Sequence, residues 1–143
     1  MSKRFIKVLG TAALLVGSSL LHAQQAEKTA SPSGAQAYIV SPANGATVGS
    51  TFTVVFGLKG MGVAPAGVQA NNTGHHHLLV DGVQLPDLNI PLGSNVSHFG
   101  GGQTETSLTL TPGQHTLQLI LGDHLHIPHN PAVVSEKITI NVQ

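Results

Sequence analysis

The chain carries seventeen glycines and eight prolines, spread so that beyond residue 23 no apolar period of 3.6 survives between them. Amphipathic helices are thereby excluded as the main building material. What fits between the breakers is short and alternating. TFTVVFGLK, 51–59, puts Phe52, Val54 and Phe56 on one face and Thr51, Thr53 and Val55 on the other. AYIV, GHHHLLV, TETSLTLT, HTLQLILGD and SEKITINV repeat the pattern, with Leu117, Leu119 and Leu121 in phase in one segment and Ile138, Ile140 and Val142 in another. Asn44-Gly45 and Pro112-Gly113 supply turns, and Asp81-Gly82 reads as a hairpin turn. Six or seven short strands over roughly 105 residues predict an all-β, immunoglobulin-like antiparallel β-sandwich. Its core must be aliphatic, because only Tyr38, Phe52, Phe56 and Phe99 are aromatic after residue 23.

The first residues belong to a different class. Lys3, Arg4 and Lys7 precede an apolar run, Val8 to Leu21, and Ala23 follows. This layout predicts a cleaved signal peptide over 1–23 and a periplasmic or secreted product. The run is too short and too rich in Gly, Ser and Thr to predict a stable membrane span. Residues 24–36, small and polar, read as a flexible leader, and the domain is expected over 37–143. The sequence offers no cysteine to acylate or to pair, so the fold must rest on core burial, with a metal as the remaining aid.

Removal of Lys3, Arg4 and Lys7 leaves three basic residues against six acidic ones, a net charge of about −3 with histidine neutral. Such a chain has no basic patch for nucleic acid. Histidine is the outlier: eight of the nine lie beyond residue 23. Residues two apart on a strand share a face, so His75 and His77 can converge on one ion while His76 points the other way. His124 and His126 repeat the spacing if that stretch is extended. His98 and His129 sit in loops able to close over them. The metal-ligand candidates are therefore His75, His77, His98, His124, His126 and His129. Neutral imidazoles without thiolate suit divalent copper, zinc or nickel. Met61, in the long loop 60–72, is a candidate soft ligand or a loop-packing residue. Asp81, Asp123 and Glu105 are candidates to orient rings, Asp123 first among them. His115, in phase with Leu117 and Leu119, reads more as a packed residue than as a ligand; His76, in phase with Leu78 and Val80, reads equally as either.

GHHHLLVDG, HFGGGQTET, PGQHTLQLILGDHLHIPHNP and SEKITINV, taken in order over roughly residues 58–142, resemble a family of small exported bacterial domains of unknown function. The resemblance implies a periplasmic protein with a single sandwich-like domain and no assigned activity. SPANGATVGSTFTVVFGL also looks like the opening of bacterial immunoglobulin-like domains. Cupin barrels use an H-x-H pair followed by Glu, with a third His after a P-x-G turn. Here Asp81 stands where Glu would, and Pro112-Gly113 lies too close to His115. Small periplasmic copper-carrier sandwiches are similar in size, export and histidine content, but share no motif.

Three functional readings follow. The first is a periplasmic metal-binding module, a carrier or buffer. The second is a non-catalytic structural or interaction module whose histidines form a pH-responsive hydrogen-bond network. The third is a cupin-like metalloenzyme. Enzyme activity is the less favoured class, since there is no triad and no G-x-S-x-G elbow.

Overall fold

The computed structural model describes residues 27–143, and the expected signal peptide lies outside them. Nine strands follow in order: β1 (Gln36–Ser41), β2 (Thr47–Val48), β3 (Thr51–Lys59), β4 (Gly62–Val63), β5 (Thr73–Val80), β6 (Ser97–His98), β7 (Glu105–Thr109), β8 (Gly113–Gly122) and β9 (Ile138–Val142). The six longer ones fall on the six alternating segments of the sequence. One sheet has the order β1-β3-β7; the other runs β2-β9-β8-β5-β4, with β6 also paired to β5. All pairings among the longer strands are antiparallel. The orders β1-β3-β7 and β5-β8-β9 reproduce the A-B-E and C-F-G arrangement of an immunoglobulin-like sandwich. No described helix is long and apolar enough to cross a membrane.

The inner faces meet in one aliphatic core. Val54 and Phe56 from β3 pack with Leu78 from β5, Leu117, Leu119 and Leu121 from β8, and Ile138, Ile140 and Val142 from β9. Each fully buried aliphatic side chain contributes about 1.5–3 kcal/mol, which compensates for the scarcity of aromatics. Tyr38 lies flat over Gly57, its cross-strand partner, where any Cβ would collide with the ring. Met61 packs at the margin of this core.

A smaller apolar cluster, Leu79, Val96 and Ile120 with Leu88, Leu92 and Val134, lies on the outer face of β5 and β8. The long loop before β6 supplies Leu88, Leu92 and Val96, and the loop after β8 supplies Val134. The β5–β8 sheet is thus covered on both sides, and buried histidines can occur on either face of β5.

Two features depart from what the sequence predicts. Asp81 does turn the chain, with φ of 54°, but it opens the loop 81–96 and no two-residue hairpin forms. Its carboxylate instead accepts from the Thr116 N–H at 2.9 Å and from His115 Nδ1 at 2.7 Å. The leader is tied down over 28–31: Ser31 N–H donates to the Asn130 carbonyl, Asn130 N–H to the Thr29 carbonyl, and Lys28 Nζ to the Leu88 carbonyl. Small polar residues there find partners in a loop a hundred residues away, which no local signal announces.

His76 occupies the inner face opposite Leu121. It is fully buried, its ring lies 5.2 Å from that of Phe56, and neither ring nitrogen has a partner. Burial alone pushes its pKa down to about 4. Buried polar atoms without partners cost about 1–3 kcal/mol each. His76→Leu, close in volume and free of polar atoms, is therefore expected to raise unfolding stability by about 1–3 kcal/mol. The check is a higher urea midpoint at unchanged slope; a lower midpoint would show that the ring has a role the core does not explain.

Candidate metal centre

β5 alternation and the β5–β8 register build the site. His75 and His77 face outward, opposite Gly122 and Ile120 of β8. Antiparallel β6 places His98 directly across from His77, on the same face. His126 arrives from the turn after β8. The ligand-capable nitrogens of His75, His77, His98 and His126 all lie within 4.8 Å of one another. His75 Nε2 stands 3.0 Å from His126 Nδ1 and 3.2 Å from His98 Nε2. Ring centroids are 4.6 Å apart for His75–His77 and for His98–His126.

Glycine makes this crowding possible. A Cβ at Gly122 would stand 2.7 Å from Cε1 and 3.2 Å from Nδ1 of His77, and one at Gly100 would collide with the His98 ring. At two positions beside the cluster, the absent side chain is the space that an imidazole fills.

Asp123 shapes the turn. Its Oδ1 accepts from the Leu125 N–H at 2.9 Å and the Ile127 N–H at 3.0 Å, while Oδ2 accepts from the Thr29 hydroxyl at 2.7 Å. His126 N–H donates to the Asp123 carbonyl, and His126 sits at φ 66°. This left-handed backbone is uncommon outside glycine and costs energy that the surrounding contacts must hold in place. Asp123 therefore orients a candidate ligand through backbone geometry, where sequence reasoning pictured it bonding a ring. Burial works against its ionisation, but the Thr29, Leu125 and Ile127 donors outweigh it and hold its pKa below the usual value.

Of the six sequence candidates, the structure brings together four and leaves two aside. His124 and His126 do not share a face, because residues 123–127 form a turn and not a strand. His124 lines a separate polar cavity of about 320 Å³ with Thr29, Asn72, Thr73 and Asp123. His129 is buried, with Nε2 3.1 Å from the Thr73 carbonyl. Glu105 lies exposed on β7 in the other sheet. Asp81 and His115, which a cupin-like site would need near the cluster, bond to each other beyond the far end of β5.

The electrostatics divide the histidines sharply. Burial, then the neighbouring His126 and His98, push His75 down to about 4. Burial, then His75, His98 and His126, push His77 to about 3. His98 is lowered too, by burial and by His126. His115 goes the other way: Nδ1 faces the Asp81 carboxylate and Nε2 faces the Thr111 carbonyl at 2.8 Å. Two acceptors require two ring protons, and the Asp81 bond raises its pKa.

The pH dependence follows in sign. In the unfolded chain, His75, His76 and His77 take up protons below about pH 6.5, whereas the native state resists until about 4 for His75 and His76 and about 3 for His77. Metal-free protein should thus lose stability as pH falls from about 6.5 toward 4, by up to about 1.4 kcal/mol per pH unit for each ring. Urea midpoints across that range test this, and a flat profile would refute it. His115 has the opposite sign: its contribution is present below about pH 6.5 and fades as pH rises through its raised value. In an NMR titration its ring should titrate above 6.5 while the β5 rings remain neutral.

Comparisons with known proteins give little beyond the family. No curated protein sequence matches the chain. It is similar to the solved fibronectin(III)-like modules of Clostridium thermocellum CbhA at 11% identity, over 75% of this chain and 93% of that one, with a TM-score of 0.35. A family model described as a domain of unknown function, DUF4399, matches residues 54–143, the span that runs from mid-β3 to the end of the chain and holds all four clustered histidines. The chain belongs to the DUF4399 family.

Proposed function

We propose that this protein is an exported, periplasmic module that binds one divalent transition-metal ion, copper, zinc or nickel, on His75, His77, His98 and His126, and carries or buffers it. The observation that carries this reading is the convergence on His75 Nε2. An imidazole nitrogen offers one in-plane lone pair or one hydrogen, so it can satisfy only one of two nitrogens at 3.0 and 3.2 Å well. A cation at their common point satisfies all of them. His77 adds weight: it is 1% exposed and both its nitrogens lack partners, a cost that one metal bond would relieve in part.

The spacing supports the same reading. Metal–nitrogen bonds of about 2.0–2.1 Å imply nitrogen–nitrogen edges of about 3.3 Å in a tetrahedral site and about 2.9 Å in a planar one. The two short contacts fall between these values. Rings kept neutral by burial already have their lone pairs free, so binding need not displace protons at neutral pH. The ionised Asp123 nearby favours positive charge at His75 and would offset a dication on four neutral ligands. Export rests on the basic N-terminus and apolar run of residues 1–23.

Equilibrating the chain with each ion and counting bound metal by native mass spectrometry tests the proposal. One equivalent is expected, tightest for Cu(II) by the general order for nitrogen sites. At 100-fold excess over Kd the native state should gain about 2.7 kcal/mol, read as a rise in melting temperature. His77→Ala is expected to abolish tight binding, and His124→Ala to leave it unchanged. An unsubstituted chain that takes no ion and shows no thermal shift would remove the metal reading and leave the shared-proton network of the same rings.

A further inference from the structure

We infer that Lys28–Ser31 is a strap whose seating on Asp123 sets how tightly the histidine cluster holds its ion, so that metal load and the order of this N-terminal segment are coupled. The inference rests on the metal reading above and adds a positioning device to it.

The strap's long-range hydrogen bonds all go to the two loops that carry or brace His126. Lys28 Nζ donates to the Leu88 carbonyl at 2.8 Å, in the loop between β5 and β6. That loop in turn donates Leu92 N–H to the His126 carbonyl at 2.9 Å. Thr29 Oγ1 donates to Asp123 Oδ2 at 2.7 Å. Ala30 forms a parallel bridge with Asn130, flanked by Ser31 N–H on the Asn130 carbonyl and Asn130 N–H on the Thr29 carbonyl. Ser31 Oγ donates to the Pro131 carbonyl at 2.7 Å. None of these bonds reaches a strand of the sandwich, so the strap braces the candidate site's mouth more than its scaffold.

Asp123 is the joint. One oxygen holds the two amides that fold the 123–127 turn, and the other holds Thr29. The turn fixes His126 at φ 66° and so places Nδ1 3.0 Å from His75 Nε2. Without Thr29, the carboxylate keeps its two backbone donors but loses the third, on Oδ2, and the turn has one restraint fewer. His126 is the ligand to suffer, because it is the one clustered histidine carried on that turn, while the other three lie on β5 and β6. Groups that hold a metal ligand in place commonly change affinity by about 10–100-fold when removed. Coupling of this kind is reciprocal, so ion binding must also stabilise the strap by the same factor.

The test compares the full chain with its Thr29→Val and Thr29→Ser variants. Affinity for Cu(II) is measured by chelator competition, with the visible and EPR spectra of the copper form. Thr29→Val should bind about tenfold or more weakly with an altered spectrum, and Thr29→Ser, which keeps the hydroxyl, should restore both. In the unsubstituted chain, Zn(II) should slow hydrogen exchange at the Ser31 and Asn130 amides. Equal affinities with identical spectra, or exchange that ignores the ion, would overturn the strap alone. A parent chain that binds no ion would overturn the metal reading and the strap with it. Should Thr29→Val lower overall stability, the exchange comparison in the parent chain still decides.

Discussion

The register of β5 against β8 is the constraint on which the remainder depends. It sets His75 opposite Gly122, His76 opposite Leu121 and His77 opposite Ile120. A slip by one residue would exchange the faces of every side chain on the strand. His75 and His77 would enter the aliphatic core, and Leu78 would face the loops. The apolar alternation Leu78, Val80 against Leu117, Leu119 forbids that slip, so the same hydrophobic pattern that holds the sandwich together also aims two imidazoles outward. Gly122 completes the arrangement. Any larger residue opposite His75 would take the volume in which the His77 ring lies.

One residue type meets four distinct environments within a small domain. His76 is enclosed by hydrocarbon and Phe56, and is held neutral by burial. His75 is held neutral by burial, His126 and His98, and His77 by burial, His75, His98 and His126. His129 is buried with one nitrogen on a backbone carbonyl. His115, on the surface between a carboxylate and a carbonyl, is favoured as the cation. The count of histidines therefore says less than their partners do, and the chain's cationic capacity near neutral pH is smaller than eight rings suggest.

Much of the fold was legible because alternation is a local signal. The six long strands, the aliphatic core and the split of the His75–His77 triplet all come from period two and from where glycine and proline stop it. The remainder was hidden where non-local contacts decide. The H-x-H spacing of His124 and His126 promised a shared face, but Asp123 closes a turn across it and sends His126 into left-handed backbone. Asp81-Gly82 had the composition of a hairpin turn, yet its carboxylate is claimed by Thr116 and His115 across the sheet. The leader looked free because its partners are Asp123, Asn130 and Pro131. A retrospective signal does exist for His98 and for His77: Gly100 and Gly122 stand within two residues of chemistry-bearing positions, where a glycine reports close approach as well as a turn.

The cluster is asymmetric in how it is held, and this bears on how an ion would come and go. His75 and His77 are fully buried on a strand paired along both edges, by β8 on one side and by β4 and β6 on the other. His98 is exposed on a two-residue strand, and His126 is half-buried on a strained turn. Local opening is easiest where few buried contacts oppose it, so the short β6 and the 123–127 turn can part from β5 without disturbing His75 and His77. An ion held by all four would exchange through His98 and His126 while His75 and His77 keep their places. With two rigid histidines below and two yielding ones above, release of such an ion would need no unfolding of the core, an arrangement that would suit transfer better than permanent structural ligation.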